Sequence, residues 1–421
     1  MKKKLIICII TLSLLIVTLV TSTWAYINYL EAYVSNIQFE AQSDGYAYMS
    51  VDGVNYSLDL GLEDIKKAVV AKYYNYEFDS TGSFVDTAGN QVSLKDKQID
   101  LAYKRIQFSP LTSSDGINMK YVNSSGETSS ISASSGMYVS FDLYFKSIVD
   151  EDFNLYFNTD DINTDLNESV VKITSEESLV NSSNFSLTNG FSCYNFTNGD
   201  IINYGNESEL TIKAADAIRF STTIEDKTKI YEPNLGLGSY ATDLDSDLYS
   251  GNFKTYSSRF DSDKNAAFTY TKNYGYEYEP LAYEDMPNTY QSFEEMDSLE
   301  IVSFSAKDEV KMVNFNFWLE GYDADCFQAI TGSVVKILLS FRGSNTLETY
   351  TINYHDEEEI SSIEYINSAI KTGNTPLFPV KKGYVFEGWY SDNSYQTEFD
   401  FDEVIVINNQ VRNAYAKWRK I

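Results

Sequence analysis

The side chains able to do chemistry fall into a few groups. Asp243, Asp245 and Asp247 alternate as Asp-x-Asp-x-Asp before Ser250-Gly251, and carboxylate oxygens at that spacing can wrap one Ca²⁺ ion. An EF-hand loop would need glycine at its sixth position and glutamate at its twelfth; Leu248 and Lys254 stand there instead. Glu320, Asp323 and Asp325 make a second carboxylate cluster, beside Trp318 at the end of an expected strand, and are the other candidate calcium ligands. For both sets, solvated loop acids are the ordinary alternative. His355 is the sole histidine, so no zinc site with two histidines can form and any imidazole-based catalysis would have to run through it. It precedes the acidic run Asp356-Glu357-Glu358-Glu359, which reads as a solvated turn. The 61 Asp and Glu residues could supply a glycosidase-type pair, but nothing in their spacing singles one out. No catalytic residue is expected.

Cysteine is sparse. Cys8 lies in an apolar stretch, leaving Cys193 and Cys326 as the two that could meet in one bridge outside the cell, a pairing that spacing does not decide.

The elements that must position these groups read mainly as β-strands. Met137, Val139, Phe141, Leu143 and Phe145 alternate with polar or aromatic neighbours, the pattern of a strand with one buried face. Stretches 301–304, 313–319 and 334–341 read alike, and 34 tyrosines with 25 phenylalanines suit pleated surfaces. One helix is expected near 62–70, where Leu62, Ile65 and Val69 share a face. Residues 123–136 (NSSGETSSISASSG) read as an exposed loop, and 225–298, rich in Asp, Asn, Ser and Tyr, as long loops on the scaffold.

The chain opens Met1-Lys2-Lys3-Lys4 and then carries no charge from Leu5 to Ile27. This is the layout of an export signal, and the run is also long enough to span a bilayer. Thr23-Trp24-Ala25 puts small residues where a cut between Ala25 and Tyr26 would need them, so cleavage and retention as an anchor both remain open. No second apolar run follows, and contact with a membrane is expected only through this segment. The formal charge of −29 includes three N-terminal lysines, so the part beyond residue 25 carries −32. That field disfavours nucleic acid and anionic lipid as partners.

Tyr350-Thr351-Ile352-Asn353-Tyr354, then Lys382-Gly383-Tyr384-Val385-Phe386-Glu387-Gly388-Trp389-Tyr390, and finally Asn413-Ala414-Tyr415-Ala416-Lys417-Trp418 form one spaced pattern. It resembles the InlB B-repeat, or Listeria–Bacteroides repeat, of Gram-positive surface proteins. The resemblance implies a small β-grasp-like domain over 346–421, with a core drawn from Tyr384, Phe386, Gly388, Trp389, Tyr390 and Trp418. One departure stands out: the family has Asn-Gly-Gly after its first strand, where this chain has the acidic run after His355. Two shorter patches, Thr23-Trp24-Ala25-Tyr26 and Phe317-Trp318-Leu319-Glu320-Gly321, are similar to camelysin/TasA-type secreted matrix proteins. That likeness implies a jelly-roll-like β-sandwich over 28–345 and self-assembly into fibres.

The expectation is an exported, non-catalytic surface or extracellular protein that binds a surface protein, a glycan or a cell-wall polymer. It needs no cofactor beyond an optional calcium ion. A fibre-forming matrix subunit and a secreted carboxylate hydrolase are the alternatives.

Overall fold

The computed structural model describes residues 34, 37–122, 128–158, 171–181, 185–187, 191–195, 200–203, 209–234, 237–241, 268–270, 299–321, 323, 325–326, 328–344, 349–356, 359–366, 384–401 and 410–420. The apolar segment 5–27 with Ala25 and Tyr26, the Asp243/Asp245/Asp247 stretch and most of 225–298 lie outside them. Among the described residues no helix is long and apolar enough to cross a membrane.

The described residues are mainly β, in several sheets, with no barrel among them. One six-stranded sheet runs Glu300–Phe304, Phe153–Phe157, Val335–Ser344, Ile37–Ser43, Asp59–Leu60, with Lys172–Ser175 also on Val335–Ser344. An eight-stranded sheet runs Lys227–Tyr231, Ile218–Ile224, Val310–Glu320, Pro110–Thr112, Lys120–Val122, Thr128–Ser130. Val139–Ser147 pairs with Val310–Glu320 in that sheet and carries Ala47–Ser50. In the first sheet Ile37–Ser43 lies parallel to Val335–Ser344, so segments nearly 300 positions apart in sequence meet side by side.

Alternation decides which face turns inward. In Val139–Ser147, Phe141, Leu143 and Phe145 are fully buried while Asp142, Tyr144 and Lys146 are half-buried on the other side. Their partners come from the six-stranded sheet. Phe145 meets Phe341 edge-on at 4.8 Å, and Phe39 meets Phe141 at 5.6 Å and Phe317 at 5.2 Å. Each such ring contributes about 1.5–3 kcal/mol on burial, so this shared aromatic layer holds the two sheets together. The arrangement is consistent with the expected sandwich. From Phe315 to Glu320 every residue is buried, because both faces are covered there: Trp318 turns outward onto Leu111, Met119, Tyr138 and Ile230.

The helix spans Leu62–Tyr74, longer than expected, and buries Ile65, Ala68, Val69, Val70 and Ala71. Asn75, left-handed at φ 57°, closes it, a conformation asparagine tolerates better than most residues. A second helix, Asp96–Tyr103, was not expected; it buries only Ile99, Ala102 and Tyr103. The 123–136 stretch, expected as a loop throughout, contains the Thr128–Ser130 strand and a 3-10 turn at Ala133–Ser135.

The C-terminal sheet orders Glu359–Ile366, Thr349–Asp356, Gln410–Lys420, Tyr384–Tyr390. Its first and last strands in sequence lie parallel at the centre, and each carries an antiparallel partner outside. This is the arrangement expected of a β-grasp-like sheet. Tyr350, Ile352, Tyr354, Trp389, Phe399, Ala414 and Ala416 form a core separate from the larger one.

Candidate functional site

The structure gives the acidic cluster at 320–325 an unexpected setting. Glu320, Asp323 and Asp325 are fully buried where Val310–Glu320 ends. Trp318 donates its indole N–H to Glu320 Oε2 (3.1 Å), and the Asp325 backbone N–H donates to Asp323 Oδ1 (2.7 Å). Arg219, on the neighbouring strand Ile218–Ile224 and opposite Trp318 in register, reaches into the same corner. Its guanidinium pairs with both Asp323 and Glu232 and donates to the backbone carbonyl of Asp216 at 2.9 Å. The positive charge beside Asp323 is thus supplied by the chain itself. Among the described residues, no three His, Cys, Asp or Glu side chains converge to hold a metal ion.

Asp216 completes this corner from the fully buried 3-10 turn Ala214–Ala217. Burial, and then the charge of Asp323, push its carboxyl up to about 7. A buried acid with a raised pKa beside other carboxylates is an electrostatic mark of catalytic pairs. Here, however, Asp216 is 6% exposed and Asp323 and Glu320 are 0% exposed, and an acid must touch its substrate to act on it. The arrangement is suited to tying the turn 320–326 to two strands. Neither Arg219 nor Glu232 was singled out from sequence, since both lie about a hundred positions from Asp323 and only strand pairing brings them there.

Cys326 is buried at the end of the same turn. The backbone of Cys193 lies in Phe191–Asn195, opposite Ile202 and Ser239; its side chain is outside the described residues.

A second group of polar and aromatic side chains lies on the C-terminal sheet. His355 is not in a turn, as expected, but in the strand Thr349–Asp356. Its ring stacks on Tyr415 (4.4 Å, 16°), and its Nε2 lies 2.8 Å from Asn413 Oδ1. Register explains the misplacement: Asp356 pairs with Glu359, so the hairpin turns after Asp356. Of the expected core residues, Trp389 and Tyr390 are buried and Trp418 packs against the cluster, its indole N–H donating to Asp356 Oδ1 at 2.7 Å. Gly388, at φ 126°, sits where the register shifts, a bulge that sends Trp389 inward and Tyr390 to the opposite face. Tyr390 there lies under Lys417, 4.8 Å from its ring centre. The backbones of Tyr384 and Phe386 pair with Lys420 and Trp418; their side chains are outside the described residues. Tyr350, Ile352 and Tyr354 supply the other half of the core, a contribution signalled by their alternation.

A small mixed sheet with a core of its own defines a β module beside the larger body. Residues 350–417 match the family model of the Listeria-Bacteroides repeat domain, which is found in surface or extracellular proteins. A comparison with curated proteins finds no match for the chain.

Proposed function

We propose that this protein is exported and acts at the cell surface or outside the cell by binding, without catalysis, through its C-terminal repeat. The repeat match over 350–417 is the observation that carries this reading. The uncharged run 5–27 behind three lysines supports export, and the sealing of the carboxylate corner weighs against hydrolysis. Its partner is a surface protein, a glycan or a cell-wall polymer.

Fractionating cells and sequencing the N-terminus of the protein tests the reading. A chain starting at Tyr26 in the medium, or one with Met1 intact in the membrane fraction and its repeat accessible to external protease, is the expected result. Recovery in the cytoplasm would overturn it. Binding of the purified exported part to intact cell envelopes should be lost when 346–421 is deleted; unchanged binding would remove the repeat from the function.

A further inference from the structure

We propose that the solvent-facing side of the repeat sheet binds a linear, uncharged glycan along a row of side chains that crosses three strands and ends on Tyr395; this rests on the binding role proposed above. Strand register fixes the row. Ile360 lies opposite His355, His355 opposite Tyr415, and Tyr415 opposite Tyr390. Tyr390 itself is buried beneath Lys417, and the Tyr395 ring, 5.7 Å from it, takes its place at the surface. Ile360 is 59% exposed and Tyr395 40%, and the stacked rings of His355 and Tyr415 are half-buried between them.

Beside this apolar row runs a polar one. Ser362 donates to Asn353 Oδ1 at 2.7 Å, and Asn353 lies opposite Asn413, whose Oδ1 meets His355. Aromatic and aliphatic groups next to side-chain amides and a hydroxyl match the two characters of a pyranose, its C–H face and its hydroxyl rim. The dimensions agree, because strands about 4.8 Å apart present one side chain each to a sugar chain that advances by roughly 5 Å per unit.

Charge narrows the ligand. Among the described residues the ionic groups beside the row are Glu387, Lys417 and Arg419, and the one carboxylate serves both cations, at 2.8 Å from Arg419 and 3.5 Å from Lys417. In a chain of net charge −29, so small a local charge does not draw a polyanion against the surrounding field and leaves a neutral polymer unopposed.

The test uses the full exported part and two probes, the tetramer of β-1,4-linked N-acetylglucosamine and cellotetraose, in titration calorimetry. At least one tetramer should bind saturably, with its monosaccharide about tenfold weaker or worse. Tyr415→Ser and Ile360→Ser should each weaken it by about tenfold, with unchanged melting temperatures. Ile117→Ser, at an exposed site on the larger body, should leave binding as it was. If neither tetramer binds while the chain still holds to intact envelopes, the glycan assignment fails and the binding role stands. If envelope binding is also absent, the binding role fails with it. Tetramer binding that survives both strip substitutions, or a concentration-dependent dimer abolished by Tyr415→Ser, would likewise overturn the assignment.

Discussion

Replacing Asp216 by Asn should make the protein more stable at neutral and alkaline pH. Asp216 is 6% exposed, and burial together with the charge of Asp323 raises its carboxyl from 3.8 to about 7. The folded chain therefore keeps the Asp216 proton to a higher pH than the unfolded chain. Stability from this group is complete below about 4, falls as pH rises through the window up to about 7, and stays lost above it. At about 1.4 kcal/mol per pKa unit, the gap from 3.8 to about 7 amounts to roughly 4 kcal/mol. That is a large share of the about 5–15 kcal/mol that holds a typical domain. Asparagine keeps the shape of the side chain and cannot ionise. Urea unfolding of the exported part at pH 4.5 and pH 8, on wild type and Asp216→Asn, isolates Asp216 together with the Asp323 coupled to it, because titrating groups elsewhere cancel in the difference. The variant should gain several kcal/mol over wild type at pH 8 and little at pH 4.5, with the same dependence on urea. A difference between the two proteins that is equal at both pH values would refute the reasoning, and would mean that Asp216 is neutral or charge-compensated throughout.

Arg219→Met leaves Asp323 and Glu232 buried without their guanidinium, and should lower stability by about 3–5 kcal/mol in chemical denaturation; a loss under 1 kcal/mol would show that the corner is held by other means. Gly116→Ala should cost about 1–3 kcal/mol. Its φ is 73° and a Cβ there would lie 2.7 Å from Ser221 Cβ, whereas the same change at Gly61, the N-cap of the Leu62–Tyr74 helix with nothing within reach of a Cβ, should cost less. Trp418→Phe removes the indole N–H donated to Asp356 and should cost about 1 kcal/mol in unfolding of the repeat, followed by near-ultraviolet dichroism.

Much of the scaffold was legible because one-sided burial writes a period into the sequence. Phe141, Leu143 and Phe145 announced their strand, and Ile65 and Val69 their helix, since each turns every second or every third to fourth side chain toward the core. Asp96–Tyr103 was not legible, because eight residues with three buried positions give too short a pattern. Val310–Glu320 was legible as apolar, but not why its last six residues are all buried; that depends on Leu111, Met119, Tyr138 and Ile230 arriving from separate segments to cover Trp318. The ionic corner was half legible. Glu320, Asp323 and Asp325 stood close together, but their partner Arg219 arrives through pairing with Ile218–Ile224, and no local rule links the two segments. His355 was misread for a related reason. An acidic run looks like a turn, whereas its first residue and His355 continue the strand, and only the parallel pairing with Gln410–Lys420 puts Tyr415 beside the imidazole.

The same structure changes what the acidity means. A formal charge of −29 suggests a solvated shell of repelling carboxylates, but several of them build turns. Ser50-Val51-Asp52-Gly53-Val54-Asn55 and Ser113-Ser114-Asp115-Gly116-Ile117-Asn118 share one design. In each, the aspartate Oδ1 accepts the serine hydroxyl and two backbone N–H groups, and Oδ2 accepts the asparagine amide. Burial pulls both carboxyls upward, but these hydrogen bonds outweigh it and hold them below the usual aspartate range. Asp79 is held low by Thr81, Gln91 and the backbone of Ser83, and Asp86 by Asn90. Such groups stabilise the fold above the ordinary aspartate range and lose that contribution as pH falls through their lowered values. Asp216 acts in the opposite sense, at higher pH. Turn aspartates thus withdraw stability as pH falls and Asp216 withdraws it as pH rises toward about 7, so this chain's carboxylates act on its stability from both sides rather than merely solvating it.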